Sequence, residues 1–181
     1  MNHGGSAGPL REGKGTTFEG GQRVPCVMWG PGRIPAGTEC DELMGTIDLL
    51  PTIPTLTNTP LPGENKIDGL DASKLLLGDE NGESPRDEFL YYTSRGAIEG
   101  IHQGKWKLLV KPKGGGKGKG QGKDQKIMLS PDLLLFDLEV DIGEQNNLAG
   151  ENPDVVKKLR DRMTELDAEV GANAREPWVK G

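Results

Sequence analysis

Gly13-Lys14-Gly15-Thr16-Thr17, inside residues 8–25, is the stretch of this sequence best suited to chemistry. A primary amine flanked by glycines can be brought close to an anionic ligand, because glycine takes φ > 0 without steric cost and lets the backbone approach. The hydroxyls of Thr16 and Thr17 and the free loop N–H groups offer further donors to anionic oxygens. Lys14 is therefore the candidate functional residue. The segment is not a nucleotide-binding P-loop, which needs Gly-x4-Gly-Lys-Ser/Thr after a strand, and the upstream glycine spacing is missing here. His3 is a second candidate for substrate contact, although a histidine this near a terminus is ordinarily a surface residue.

The elements that must position these groups come from a chain poor in core material. Of 181 residues, 33% are hydrophobic and 4% aromatic, beside 28 glycines and 13 prolines. Such a chain spends much of itself on loops and fits a piece of a loop-rich enzyme better than a compact independent fold. The net charge of −6 speaks against a general nucleic-acid binder, whose footprint is basic. It leaves an anionic substrate open, since one placed lysine matters more there than total charge. No apolar run reaches the ~18 residues of a membrane helix, and residues 1–6 lack the apolar core of a signal peptide, so any export signal is expected upstream of Met1. Cys26 and Cys40 match no zinc or redox spacing. One disulfide between them, or two buried or half-buried free thiols, both stay open.

In chain order, residues 1–22 are an ordered loop only if something else holds them. The apolar run 24–29 is consistent with a buried strand of a larger sheet, with Pro25 at its start. After turns at Gly30-Pro31-Gly32 and Pro35-Ala36-Gly37, Thr46 is expected to cap a helix. Asp48 suits its positive end, and Leu49, Leu50, Ile53 and Leu56 share a face. Pro54 should leave this helix short or kinked. Asp68 and Asp71 read as turn formers rather than a metal pair, and Ser73 to Leu77 as one or two helical turns. From Glu88 the pattern becomes β: runs at 89–93, 97–102, 105–110 and 133–137 form an antiparallel meander, with His102 at a hairpin turn and exposed. Between the last two runs, residues 111–127 are a Lys/Gly-rich insert expected to be disordered, either solvated or touching a polyanion by charge alone. Asn152-Pro153-Asp154 opens a final helix with an N-cap, a proline at N1 and an acid at N2. Val155, Val156, Leu159, Met163, Leu166 and Val170 should face the sheet, with a stop near Gly171. The expected division is 1–87, the end of an α/β domain, and 88–181, a small antiparallel sheet with one packed helix.

Residues 8–25, Trp29-Gly30-Pro31-Gly32-Arg33-Ile34-Pro35-Ala36-Gly37 and Asp48-Leu49-Leu50-Pro51-Thr52 come in an order that resembles the C-terminal portion of the formylglycine-dependent, arylsulfatase-like sulfatases. The resemblance continues through Asp68-Gly69, Pro85-Arg86, Gly104-Lys105-Trp106-Lys107-Leu108, Leu135-Phe136-Asp137-Leu138 and Asp141 to Leu148. It implies an alkaline-phosphatase-like α/β fold, of which this chain holds the end of the main sheet plus the small antiparallel sheet and helix. It implies hydrolysis of sulfate monoesters, with Lys14 contacting the sulfate and steadying the developing negative charge. The family's nucleophile arises in a Cys/Ser-x-Pro-x-Arg motif, which does not occur here. Its calcium-binding Asp-Asn pair is also expected upstream, so Asn2 is not taken as a ligand and calcium belongs to the full-length family. The resemblance further implies a sulfated small molecule or polysaccharide as substrate and the missing N-terminal portion as a partner. A periplasmic or secreted location and an inactive fragment follow from it too. A non-catalytic module binding sulfated polysaccharide is the alternative.

Overall fold

The computed structural model describes residues 5–61, 63, 66–78, 82–93, 96–112 and 129–174. His3 and most of the Lys/Gly-rich insert, residues 113–127, lie outside the described residues. The chain forms two compact units, one of Met1–Val24 with Leu90–Gly181 and one of Pro25–Phe89.

The first unit is built on the meander that the sequence pattern predicts. Strands β1 (Glu88–Tyr92), β2 (Ile98–Gln103), β3 (Trp106–Pro112) and β4 (Leu129–Asp137) lie in the order β1-β2-β3-β4. β3 is antiparallel to both neighbours, with Ile101 opposite Leu108 and Leu108 opposite Leu135. β3 and β4 extend further toward the insert than their apolar runs indicate, because ladder pairing carries the backbone past the hydrophobic residues as far as Pro112 opposite Leu129.

Alternation along the strands gives the sheet two apolar faces. On one, Ile101, Leu108, Val110 and Leu135 meet Val156, Leu159 and Met163 of the helix Pro153–Ala172. Burying each of these aliphatic side chains stabilises by about 1.5–3 kcal/mol as an upper figure. Pro153 opens this helix with Asn152 at the N-cap position, as expected, but the Asn152 side chain makes no capping bond. Its side-chain amide donates instead to the Leu148 carbonyl at 3.1 Å. The helix also runs past Gly171 to Ala172, and Asn173 closes it at φ −100° rather than in a left-handed conformation. On the opposite face, Leu109, Phe136 and Leu138 pack against Phe18, Leu134 and Ile142. Phe18 comes from the glycine-rich N-terminal segment, so the sheet itself is what holds that loop.

The second unit is organised by polar groups. Residues 24–29 form no strand, and Val27 and Trp29 are 93% and 86% exposed. A strand exists only when its N–H and C=O groups find a ladder, and among the described residues none lies beside this run. A 3-10 turn at Thr46–Asp48 leads into the helix Leu49–Thr57. Gly45 rather than Thr46 stands at its start, and the Gly45 N–H donates to Asp48 Oδ2 at 2.7 Å. The helix is short, as expected, and ends at Asn58 with φ +52°. The buried residues of the turn and the helix are polar: Asp48 and Thr52 are inside, while Leu50 and Ile53 are half exposed. Arg86 explains the inversion. Its guanidinium forks onto both Asp48 oxygens at 2.9 and 2.5 Å, and the Leu70 N–H adds a bond to Oδ1 at 2.8 Å. Thr52 Oγ1 donates to the Asp48 carbonyl at 2.6 Å and accepts from the Ala72 N–H at 2.9 Å. Ser73–Leu76 forms one helical turn, with Asp71 accepting from the Ser73 N–H at 2.9 Å and from Thr55 at 2.7 Å. Asp71 thus acts as a turn former. Cys26 and Cys40 are free and exposed, neither paired nor buried.

Candidate functional site

Lys14 stands at the tip of a loop that folds tightly on itself. Its side chain is exposed and makes no hydrogen bond or ion pair among the described residues. Around it, the Thr16 N–H and the Thr16 hydroxyl both donate to the Gly13 carbonyl, at 3.2 and 2.9 Å. The Thr16 hydrogen is therefore committed to the turn rather than free for an anion. Gly15, at φ +95°, holds a conformation that a side chain would disfavour. The helical turn Glu19–Gln22 then brings the chain back under the tip. The Gly20 N–H donates to the Arg11 carbonyl at 2.9 Å, and Gln22 Nε2 donates to the Thr16 carbonyl at 2.9 Å. This return is possible only with glycines. A Cβ on Gly20 would collide with the Glu12 and Arg11 carbonyls, and one on Gly21 with those of Thr16 and Gly13.

The loop is fastened to the sheet by a buried charge cluster. Lys107 on β3 points to the same face as Leu109, and its side chain is 0% exposed. Its ammonium lies 2.8 Å from Glu19 Oε1 and 2.9 Å from Glu144 Oε1, and 4.9 Å from the centre of the Tyr91 ring. The contact with Glu144 Oε1 is an ion pair without hydrogen-bond alignment. The other oxygen, Glu144 Oε2, accepts the Glu19 N–H at 2.7 Å, and the Glu144 carbonyl accepts from Arg11 at 2.7 Å. The Arg11 guanidinium also lies over the Phe18 ring, 4.0 Å from its centre.

Two carboxylates around one ammonium set the electrostatics. Burial pushes the Glu144 carboxyl above the usual range, against the pull of the Glu19 amide and Lys107, and the Glu19 charge adds to the rise. Burial, with the charges of Glu19 and Glu144, also pushes the Tyr91 hydroxyl up, so it stays neutral. His102, directly across from Lys107 on β2, is half-buried rather than exposed at a hairpin tip. Its Nε2 lies 2.8 Å from the Gly104 carbonyl. Burial leads in lowering its pKa, opposed by Glu19 and the Gly104 carbonyl, while Lys107 and Arg23 add to the lowering.

Of the residues singled out from sequence, the structure presents Lys14 as an available cation, and His3 lies outside the described residues. Glu19, Lys107, Glu144 and Arg11 were not singled out. The available signal was Lys107 itself, a charge on the inward-alternating position of an apolar strand. Among the described residues no three His, Cys, Asp or Glu side chains converge as a metal site, and Asp71 is held within its turn.

The sulfatase family model matches residues 2–59. Human arylsulfatase A is 38% identical over 94% of this chain and 36% of its own length. Mouse steryl-sulfatase is 30% identical over 94% of this chain and 29% of its own. The chain thus spans about a third of the length of these curated relatives. Among solved structures, the PsFucS1 sulfatase from Pseudoalteromonas superposes with a TM-score of 0.71 at 24% identity, over 93% of this chain and 34% of that one. This likeness shows the sulfatase, alkaline-phosphatase-like fold. On the loop around Lys14, the meander with its packed helix and these matches along nearly the whole chain, the protein belongs to the sulfatase family.

Proposed function

We propose that this chain supplies the sulfate-contacting cation, Lys14, of an enzyme that hydrolyses sulfate monoesters. The observation that carries the reading is the contrast between two lysines. Lys107 is buried and neutralised by carboxylates, whereas Lys14 is held out at the tip of a fastened loop with its charge uncommitted among the described residues. Cleavage of a sulfate ester builds negative charge on the sulfuryl and leaving oxygens. A preorganised ammonium beside those oxygens stabilises the transition state more than the ground state. On this reading the nucleophile, the proton donor and the calcium ligands are not among residues 1–181, which alone are expected to turn over no sulfate ester.

The test is turnover of a chromogenic sulfate ester by the protein from its native gene, with and without Lys14→Ala. The substitution is expected to lower kcat about 10²–10³-fold, by analogy with the loss of one oxyanion-hole donor. Unchanged turnover would remove Lys14 from the chemistry. Binding of sulfated polysaccharide by a protein with no turnover would point to the non-catalytic module instead.

A further inference from the structure

Glu144 is the residue on which the fastening of the Lys14 loop converges. Three separate contacts end on it. Its Oε2 accepts the Glu19 N–H at 2.7 Å, its Oε1 faces Lys107 Nζ at 2.9 Å, and its carbonyl accepts from Arg11 at 2.7 Å. Arg11 and Glu19 bracket Lys14, three residues before it and five after. They are themselves tied together through the Gly20 N–H bond to the Arg11 carbonyl at 2.9 Å. A single residue therefore grips both stems of the loop while the tip carries the free ammonium.

The backbone conformation of Glu144 is what allows this. At φ +51° it is one of three non-glycine residues with positive φ among those described, a strained arrangement for a residue with a side chain that persists only where surroundings enforce it. In that conformation its carbonyl and its carboxylate both reach the loop. Glu144 is 0% exposed, and its preceding turn is held by its own N–H bond to the Asp141 carbonyl at 3.0 Å. A buried acid in a strained conformation, two of whose three partners, Arg11 and Glu19, flank one exposed cation, is arranged for placement of that cation.

We infer that Glu144, seated on Lys107, is a positioning residue that sets where the Lys14 ammonium stands relative to the substrate sulfate. This rests on the proposed role of Lys14. Misplacing a catalytic group by about 1 Å can cost on the order of 10²-fold in rate, so a fixed stem matters as much as the lysine itself.

The test compares Glu144→Ala, Arg11→Leu and Leu159→Ala in the full native protein. Glu144→Ala removes the carboxylate. Arg11→Leu releases one stem while leaving the Lys107 cluster in place, so it remains informative if Glu144→Ala fails to fold. Leu159→Ala weakens the same sheet from its helix face without touching the loop. Two quantities are read: amide hydrogen exchange of residues 11–22 relative to β2 and β3, and kcat and KM on a chromogenic sulfate ester. Glu144→Ala and Arg11→Leu are expected to speed exchange in 11–22 at least about tenfold beyond any change in the strands. They should lower kcat/KM by about 10²-fold. Leu159→Ala should raise exchange in sheet and loop together and leave kcat nearly unchanged. Loop exchange that follows the strands equally in all three variants would overturn the positioning role and leave a merely structural one. If the native protein shows no turnover, the proposed function fails, while the exchange comparison still decides whether Glu144 holds the loop.

Discussion

Replacing Lys107 by methionine tests the electrostatic account of the first unit. With the native residue, two carboxylates and one ammonium give the cluster of Glu19, Glu144 and Lys107 a charge of −1 when all are ionised; without the ammonium it becomes −2. Lys107 and Glu144 are both 0% exposed, so water cannot take over the lost pairing, and removing one partner of a buried ion pair costs about 3–5 kcal/mol. Arg23, 3.9 Å from Glu19, is too far and too exposed to replace an ammonium at 2.8 Å, and Arg11 is committed to the Glu144 carbonyl. The deficit should depend on pH. Burial already raises the Glu144 carboxyl, and losing Lys107 raises it further, so acidification lets Glu144 take up a proton and relieves the repulsion. The deficit falls by up to about 1.4 kcal/mol per pH unit between the Glu144 pKa of the variant and the lower one of the wild type, below which both proteins gain alike. The assay is urea unfolding of wild type and Lys107→Met at pH 7.5 and pH 5.0. Lys107 is one of the charges that lower the His102 pKa, so both proteins carry His102→Gln to keep that group out of the difference. The expected result is a deficit of about 3–5 kcal/mol at pH 7.5 that shrinks clearly at pH 5.0. A deficit below about 1 kcal/mol, the level of an exposed pair, or one independent of pH, would refute the buried-cluster reasoning.

Other outcomes follow from the same geometry. Arg86→Met leaves the buried Asp48 carboxylate without its fork and should destabilise the second unit by about 3–5 kcal/mol, measured by the same unfolding assay; a change within 0.5 kcal/mol, as at a neutral surface site, would contradict the hub. Burial works to raise the Asp48 carboxyl, but Arg86 and the Leu70 and Gly45 amides outweigh it and hold the pKa below the usual value of 3.8. Its stabilisation is therefore complete above pH 3.8 and lost as pH falls through the lower folded value, and Asp48→Asn should flatten that acid limb. Gly21→Ala places a methyl against the Thr16 and Gly13 carbonyls and should cost about 1–3 kcal/mol, as overpacking does; a wild-type melting temperature would show that the loop has room.

Much of this arrangement was legible in the sequence, and what was not has a common cause. Alternating apolar residues marked the four strands, and the spacing of Val156, Leu159 and Met163 marked the helix that covers one face. Glycines around Lys14 marked a loop able to turn sharply. The second face of the sheet was hidden, because Phe18 is one aromatic in a glycine-rich run without periodicity. The helix Leu49–Thr57 was read with its leucines inward, yet Asp48 and Thr52 are buried and Leu50 and Ile53 half exposed. Periodicity ranks residues by hydrophobicity and cannot see that Arg86, thirty-eight positions on, makes burial of a carboxylate affordable. The same blindness hid Glu19, Lys107 and Glu144. Charged residues default to the surface unless paired, and their pairing here joins three segments far apart in the chain.

The central claim is that Lys14 meets the sulfate. A crystal structure of the protein from its native gene with inorganic sulfate in the active site tests this most directly. The expected result is Lys14 Nζ within about 2.7–3.2 Å of a sulfate oxygen, with the loop stem still bonded to Glu144. A sulfate seated in the site with the Lys14 side chain turned away from it would contradict the account.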